Sequence, residues 1–412
     1  MTRLIPALTA LVAAAAATAA AVAAPGAAAA EPAPLVPLRM AASDAIADSY
    51  IVRTRPGTDP AALAARLGLR PTHVYAAGTV RGFAARLTGG QVAAVRADTA
   101  EVAEVSQDAV VRTTATVQST TGPALWHLDR ADQRDLPRSN TFTYTATGTG
   151  IRAYVLDTGI YTGHPEFEGR AINMVSTTGG SAEDCHGHGT LVAGLIGGSI
   201  HGVAKKVEVR GVKVTDGCTP TASLSSLIAG MDWVLDRGVK PAVVNVSMGA
   251  AHDTTLNAKA TELVSAGYFV SVAAGNEGIK TCLRSPASAV GVTAVGGTAD
   301  DDSMMRDGTT VSNHGHCTTL FAPGERVSST FFTVAADGTK RAATASASGT
   351  SLAAPLVAGS AALRMQVDPS HSGPAARSWL LANASVGKVT GIPAPGPGEP
   401  PTPNLLLFKA SL

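Results

Sequence analysis

The sequence predicts an α/β protein built on a mostly parallel sheet with helices on both faces, preceded by a small α+β unit. Three observations carry this expectation. Beyond residue 123, short apolar runs alternate with longer runs of helical period, as strands buried on both faces and crossed over by helices must. Residues 112–123 (RTTATVQSTTGP) are polar, small and without period, which separates that region from a shorter folded segment before it. The 412 residues carry 45% hydrophobic and only 15% charged side chains together with 43 glycines. Such a composition fits two or three globular units and excludes coiled coil, collagen and wholesale disorder.

Met1-Thr2-Arg3, an apolar run from Leu4 to Ala24 and small residues up to Ala30 make residues 1–30 a secretory signal, with Ala28 and Ala30 in the two small positions before cleavage. Residues 31–47 read as a linker. Ser49 to Thr54 then alternates like a strand, Pro56-Gly57 turns the chain, and Pro60 to Leu67 has helical spacing. Val80 to Leu87, a helix from Gly90 to Ala97 and a strand-like Val102 to Val105 complete an order resembling the ferredoxin-like split βαββαβ unit over residues 48–116. That unit has no cysteine and almost no side chain able to do chemistry.

In the second domain, residues 117–412, strand-like runs at Ile151–Leu156, Val207–Val214, Ala242–Val246, Phe269–Ala273 and Val292–Val295 interleave with helical ones at Thr190–Ile196, Leu224–Leu235 and Leu256–Ala266. Pro393 to Pro403 reads as a tether for a terminal strand. With 32 basic and 31 acidic side chains the formal charge is +1, so the chain lacks the basic footprint that nucleic acid or an acidic membrane would select. The four cysteines, Cys185, Cys218, Cys282 and Cys317, suggest two disulfides in an exported chain, with three connectivities open.

Reactive groups of an open α/β sheet collect at the carboxyl ends of its strands. The first strand of the second domain ends in Asp157-Thr158-Gly159, where a carboxylate is anchored and shielded enough to orient a histidine. Asp184-Cys185-His186-Gly187-His188-Gly189-Thr190 leads into a helix of small residues, and the glycines beside His188 allow a sharp turn and close approach. Ser348-Gly349-Thr350-Ser351 places a hydroxyl at the start of another helix, where partial positive charge favours a developing anion. Each segment alone has an ordinary reading as a cap or turn; together they describe an acid, a base and a nucleophile in the order Asp157, His188, Ser351.

That order and its flanking residues resemble the subtilisin-like serine peptidases, specifically the proteinase K and aqualysin branch. The resembling stretches are VLDTGI (155–160), HPEFEGR (164–170), CHGHGTLVAG (185–194), VVNVSMGA (243–250), VAAGNEG (272–278) and SGTSLAAPLVAG (348–359). The resemblance implies a secreted endopeptidase with Asp157, His188 and Ser351 as triad and Asn276 as oxyanion donor, needing no cofactor for chemistry. It further implies cleft walls at Ser247-Met248-Gly249 and Ala273-Ala274-Gly275, hence an uncharged first pocket and broad cleavage after apolar or aromatic residues. The opposite wall, near Thr219 to Ser223, departs from the usual Gly/Ser-rich chain by carrying Pro220, which has no N–H to donate.

The 48–116 unit resembles the inhibitor-like propeptide of these enzymes, which implies a self-processing precursor cut within Ala115 to Thr121 and acting as a monomer on protein or peptide substrates. The cysteine positions resemble those of aqualysin-type enzymes and imply Cys185–Cys218 and Cys282–Cys317. Leu191 and Leu352 stand where relatives often have His and Met, and neither removes a catalytic group. Thr319 stands where relatives commonly have an Asp, which leaves structural calcium open, with Asp300 to Asp302 as other candidate ligands. Two rival readings remain: a zinc enzyme, from the Cys and His groupings at 185–188 and 314–317, against which stands the lack of an H-E-x-x-H helix, and a non-catalytic peptide-binding protein.

Overall fold

A computed structural model describes residues 34–113, 116–119 and 125–412. The expected signal at 1–30 lies outside the described residues, as do Ala115, Thr120 and Thr121 of the expected cleavage window.

The N-terminal segment folds as β1 (Ala45–Thr54), α1 (Pro60–Arg66), β2 (Pro71–Tyr75), β3 (Gly82–Arg86), α2 (Gly89–Ala97) and β4 (Val102–Thr113). Local chemistry sets its helices. Asp59 accepts from the Ala61 and Ala62 N–H groups ahead of Pro60, and Thr88 with Gln91 forms a reciprocal capping box. β1 lies between β3 and β4, antiparallel to both, and Val52, Leu63, Phe83, Val95 and Val105 fill a core beneath the sheet.

This unit differs from expectation at both ends. It begins before Asp48, because Val36 is buried in the same core and Leu38–Arg39 pairs with Val105–Ser106; a single buried valine in a short pairing leaves no periodic signal. The polar stretch from Arg112 is not an open linker. β4 runs to Thr113, and Thr116–Ser119 is a strand paired with Ala345–Ser348, its backbone held by partners distant in sequence.

The second region is a nine-stranded sheet. Its parallel body contains β5 (Arg152–Asp157), β6 (Ala171–Ser176), β7 (Glu208–Lys213), β8 (Ala242–Val246), β10 (Phe269–Ala273), β11 (Thr293–Thr298) and β12 (Leu320–Pro323). Spatial order from one edge is β6, β7, β5, β8, β10, β11, β12, followed by Leu405–Leu406, the expected terminal strand. Between β8 and β10 the chain makes the short strand β9 (Met248–Ala251), which leaves this sheet and pairs with β4.

One face is covered by α3 (His188–Gly197) and by α6 (Thr350–Val367), which follows the hairpin β13 (Val327–Val334) and β14 (Lys340–Ser348). The other is covered by α4 (Leu224–Arg237) and α5 (Thr254–Ser265). Ile51, Tyr75, Ala84, Ala109 and Val111 of the N-terminal segment join the core of the α4/α5 face, so residues 35–412 form one compact unit despite the composition break at 112–123.

Candidate active site

Asp157 ends β5 and is fully buried; its Oδ1 accepts from the Thr158 N–H at 2.8 Å and faces His188 Nδ1 at 2.7 Å. With the Nδ1 proton donated to a carboxylate, the tautomer is fixed and Nε2 is the basic nitrogen. His188 opens α3 because Gly187 reaches φ +103°, where a Cβ would stand 2.0 Å from the Phe331 ring. At Gly189 a Cβ would stand 2.1 Å from the Gly159 carbonyl, so only glycine lets α3 start directly against the end of β5.

Ser351 lies in the first turn of α6, which packs on α3. Pro355 has no N–H to return to the Ser351 carbonyl, and that oxygen accepts instead from Ser247 Oγ at 2.8 Å. Asn245 Nδ2 in turn donates to Ser247 Oγ at 2.8 Å. His188 Nε2 and Ser351 Oγ are both buried and neither has a hydrogen-bond partner among the described residues, so the bond between them is not made in this state. Base and nucleophile contacts of this kind are often loose until a substrate is engaged.

Asn276 follows β10 and is not left-handed. Its Oδ1 accepts from the Thr350 N–H and the Thr350 hydroxyl, each at 2.9 Å, so the amide is oriented by the residue next to Ser351 and its NH2 is left to donate elsewhere. Gly275 N–H donates to the same Thr350 hydroxyl at 3.0 Å, and the Ala274 carbonyl accepts from Asn313 Nδ2 at 3.0 Å. Ala273, Ala274 and Gly275 lie at the end of β10, and Ser247, Met248 and Gly249 beyond β8.

Thr221–Ser223 and Met248–Gly249 flank the chain's own backbone. Val110–Arg112 pairs antiparallel with Thr221–Ser223, and Arg112–Thr113 with Met248–Gly249. Pro220 precedes the first paired residue and leaves the ladder intact. The next described strand, Thr116–Ser119, starts opposite Ser348.

Both disulfides implied by resemblance are formed, Cys185–Cys218 and Cys282–Cys317. The first ties the turn before His188 to the loop preceding a cleft wall. His316 Nε2 lies 3.4 Å from Cys282 Sγ, but a disulfide sulfur is no thiolate and does not ligate zinc, so the 314–317 grouping loses that reading. Asp302 binds Arg130 in a bidentate pair at 2.6 and 2.9 Å, Asp300 pairs with Arg138, and Thr319 Oγ1 accepts from the Ala294 N–H. Asp301 Oδ1 accepts from the Ser303 N–H.

Sequence reasoning passed over Thr158, Asp184, Thr350, Lys213 and Asn245, which hold the reactive groups from behind. Thr158, Asp184, Asn245 and Thr350 stood inside the quoted segments, but their contacts depend on folding. Burial lowers the His186 pKa, with His188 adding to the effect, and burial likewise lowers that of Lys213.

Comparison with known proteins places this geometry among described relatives. The pattern of the subtilase family, Peptidase S8, matches residues 148–399. The chain is 43% identical over 343 residues to the extracellular serine proteinase of Thermus sp. (strain Rt41A), covering 83% of this chain and 78% of that one. It is 36% identical over 370 residues to Proteinase R of Parengyodontium album, covering 88% and 89%. Among solved structures it resembles a cold adapted subtilisin-like serine proteinase, with a TM-score of 0.61 at 37% identity over 70% of this chain and 99% of the other.

Proposed function

The chain belongs to the subtilase family and is a serine endopeptidase, and from that premise we propose that Ser351 is its nucleophile, His188 its general base and acid, Asp157 the orienting carboxylate and Asn276 an oxyanion donor. The observation that carries this reading is the buried 2.7 Å contact between Asp157 and His188 Nδ1, with Nε2 left open and α3, which carries His188, packed on the helix whose first turn holds Ser351. Ser351 Oγ attacks the scissile carbonyl as its proton passes to His188 Nε2, and the imidazolium is held by Asp157. The oxyanion is met by Asn276 Nδ2 and the Ser351 N–H. His188 then protonates the leaving amine, and water, deprotonated by the same nitrogen, releases the acyl group from Ser351.

The small, uncharged rims at Ser247–Gly249 and Ala273–Gly275 favour apolar or aromatic side chains before the cut. Extended substrates take the place now held by Val110–Thr113, pairing with Thr221–Ser223 on one side and Met248–Gly249 on the other. The N-terminal unit is on this reading the propeptide of a secreted, monomeric enzyme and occupies the cleft as a substrate would. Relatives are named as extracellular, and no helix among the described residues is long and apolar enough to cross a membrane. The maturation cut is taken to fall between Thr113, opposite Met248, and Thr116, opposite Ser348, which overlaps the expected 115–121 window only at the 115–116 bond.

Expression of the full chain beside Ser351→Ala tests this reading. The wild type is expected to yield a processed form that begins at residue 114, 115 or 116 and hydrolyses casein, while the variant stays uncut. Equal processing of both chains would contradict self-maturation, and a processed wild type inert on casein would contradict the catalytic assignment.

A further inference from the structure

Asp184 is fully buried, four residues before His188, and its carboxylate collects five donors. Oδ1 accepts from the His186 and Gly187 N–H groups and from Thr158 Oγ1, each at 2.9 Å; Oδ2 accepts from the Thr190 N–H at 3.0 Å and from Thr190 Oγ1 at 2.6 Å. Both hydroxyls reach across to the other catalytic segment. Thr158 Oγ1 accepts from the Gly189 N–H at 2.8 Å, and Thr190 Oγ1 accepts from the Tyr161 N–H at 2.8 Å. Through two threonines, one carboxylate thus joins the chain after Asp157 to the turn that carries His188.

A buried carboxylate close to a second one needs a cation. Lys213, 2% exposed and in register with Asp157 on the neighbouring strand, donates from Nζ to the Thr158 carbonyl at 2.8 Å. Burial lowers its pKa, while Asp184 and Asp157 act in the opposite direction.

We propose that Asp184 is a positioning residue that sets the His188 ring against Asp157, and that Lys213 offsets its charge. The inference rests on the roles proposed above for Asp157, His188 and Ser351. The charged and titratable groups around the ring are Asp157 on β5, Asp184 and His186 in the turn, Lys213 on β7, and Lys340 on β14, whose Nζ bonds the Asp184 carbonyl oxygen. β13 has no charged residue; Arg364, at the far end of α6, is bound to Asp368, and Glu166, at the other end of α3, to His201.

The two groups have opposite sign, which separates their electrostatic effect from simple disruption. Asp184→Asn removes an anion near the imidazolium, so the acid limb of kcat/KM against pH moves to lower pH; Lys213→Met removes a cation and moves it to higher pH, each by roughly half a unit or more. In Asp184→Asn the new NH2 faces donors, and kcat falls about 10- to 100-fold with KM little changed, the loss expected from slight misplacement of a catalytic group.

The full chains are matured, with wild-type enzyme added where a variant does not process itself, and rates are referred to active sites titrated with a phosphonate. Thr190→Val, which removes one link but no charge, lowers kcat without moving the limb and serves where Asp184→Asn does not fold. Unchanged kcat in Asp184→Asn, or in Thr190→Val where that variant alone folds, overturns the inference; so do limbs that move the same way in the two charge variants. A wild type that takes no phosphonate at Ser351 instead overturns the underlying assignment.

Discussion

Asn276 shows how little freedom the reacting side chains have. Its carbonyl end is pinned by two donors from Thr350, so the amide cannot flip without orphaning both. Asn276→Ala is expected to lower kcat by about 10²- to 10³-fold with KM nearly unchanged, a magnitude that comes from subtilisin itself. Steady-state kinetics on the processed enzyme checks it, and a loss confined to KM would assign Asn276 to ground-state binding. Asp157, His188 and Ser351 were candidates from their own segments, and Asn276 was one through the family resemblance alone. Asp184 was not. A carboxylate before a turn is an ordinary cap, and only the fold reveals that Thr158 and Thr190 reach it from two directions.

At the scale of elements, the sheet and its helices were legible from period, while pairings made by irregular or polar segments were not. β2 (Pro71–Tyr75) starts at a proline and has only Tyr75 buried, so it carries no alternating apolar stripe. Thr116–Ser119 became a strand because the edge of β14 accepts it. Cross-links hold the loops around these elements, and the Cys282–Cys317 bridge spans 35 residues away from the reacting atoms. Replacing both by Ser is expected to cost about 2–4 kcal/mol while leaving kcat/KM at 25 °C within about twofold, on the loop-closure argument. Urea unfolding of the two chains in the Ser351→Ala background, where self-digestion is prevented, measures the difference. A change below about 0.5 kcal/mol would show that the α4/α5 side holds these loops without the bridge.

Across the whole molecule, the N-terminal unit is held at several places, among them β4, which pairs with Thr221–Ser223 and Met248–Gly249, and the 76–80 loop, which meets a charge cluster on α4 and α5. Asp232 accepts from the Ala76 and Ala77 N–H groups, Glu262 accepts from Thr79 and Val80, and Lys259 Nζ, bonded to the Ala77 and Val80 carbonyls, joins the two carboxylates. A parallel sheet of distant strands folds slowly, and on the propeptide reading proposed above a unit bound to α4, α5, Thr221–Ser223 and Met248–Gly249 would give those strands a template. The resemblance implied an inhibitor-like unit, but these particular contacts were not legible beforehand, since they depend on partners far apart in sequence. The central claim concerns three side chains and one proton. A fluorophosphonate probe applied to processed wild type, Ser351→Ala and His188→Ala, followed by peptide mapping, tests it most directly. The account predicts one label per molecule on Ser351 in the wild type and almost none in either variant; labelling that persists in His188→Ala at the wild-type rate, or that maps to another hydroxyl, would contradict it.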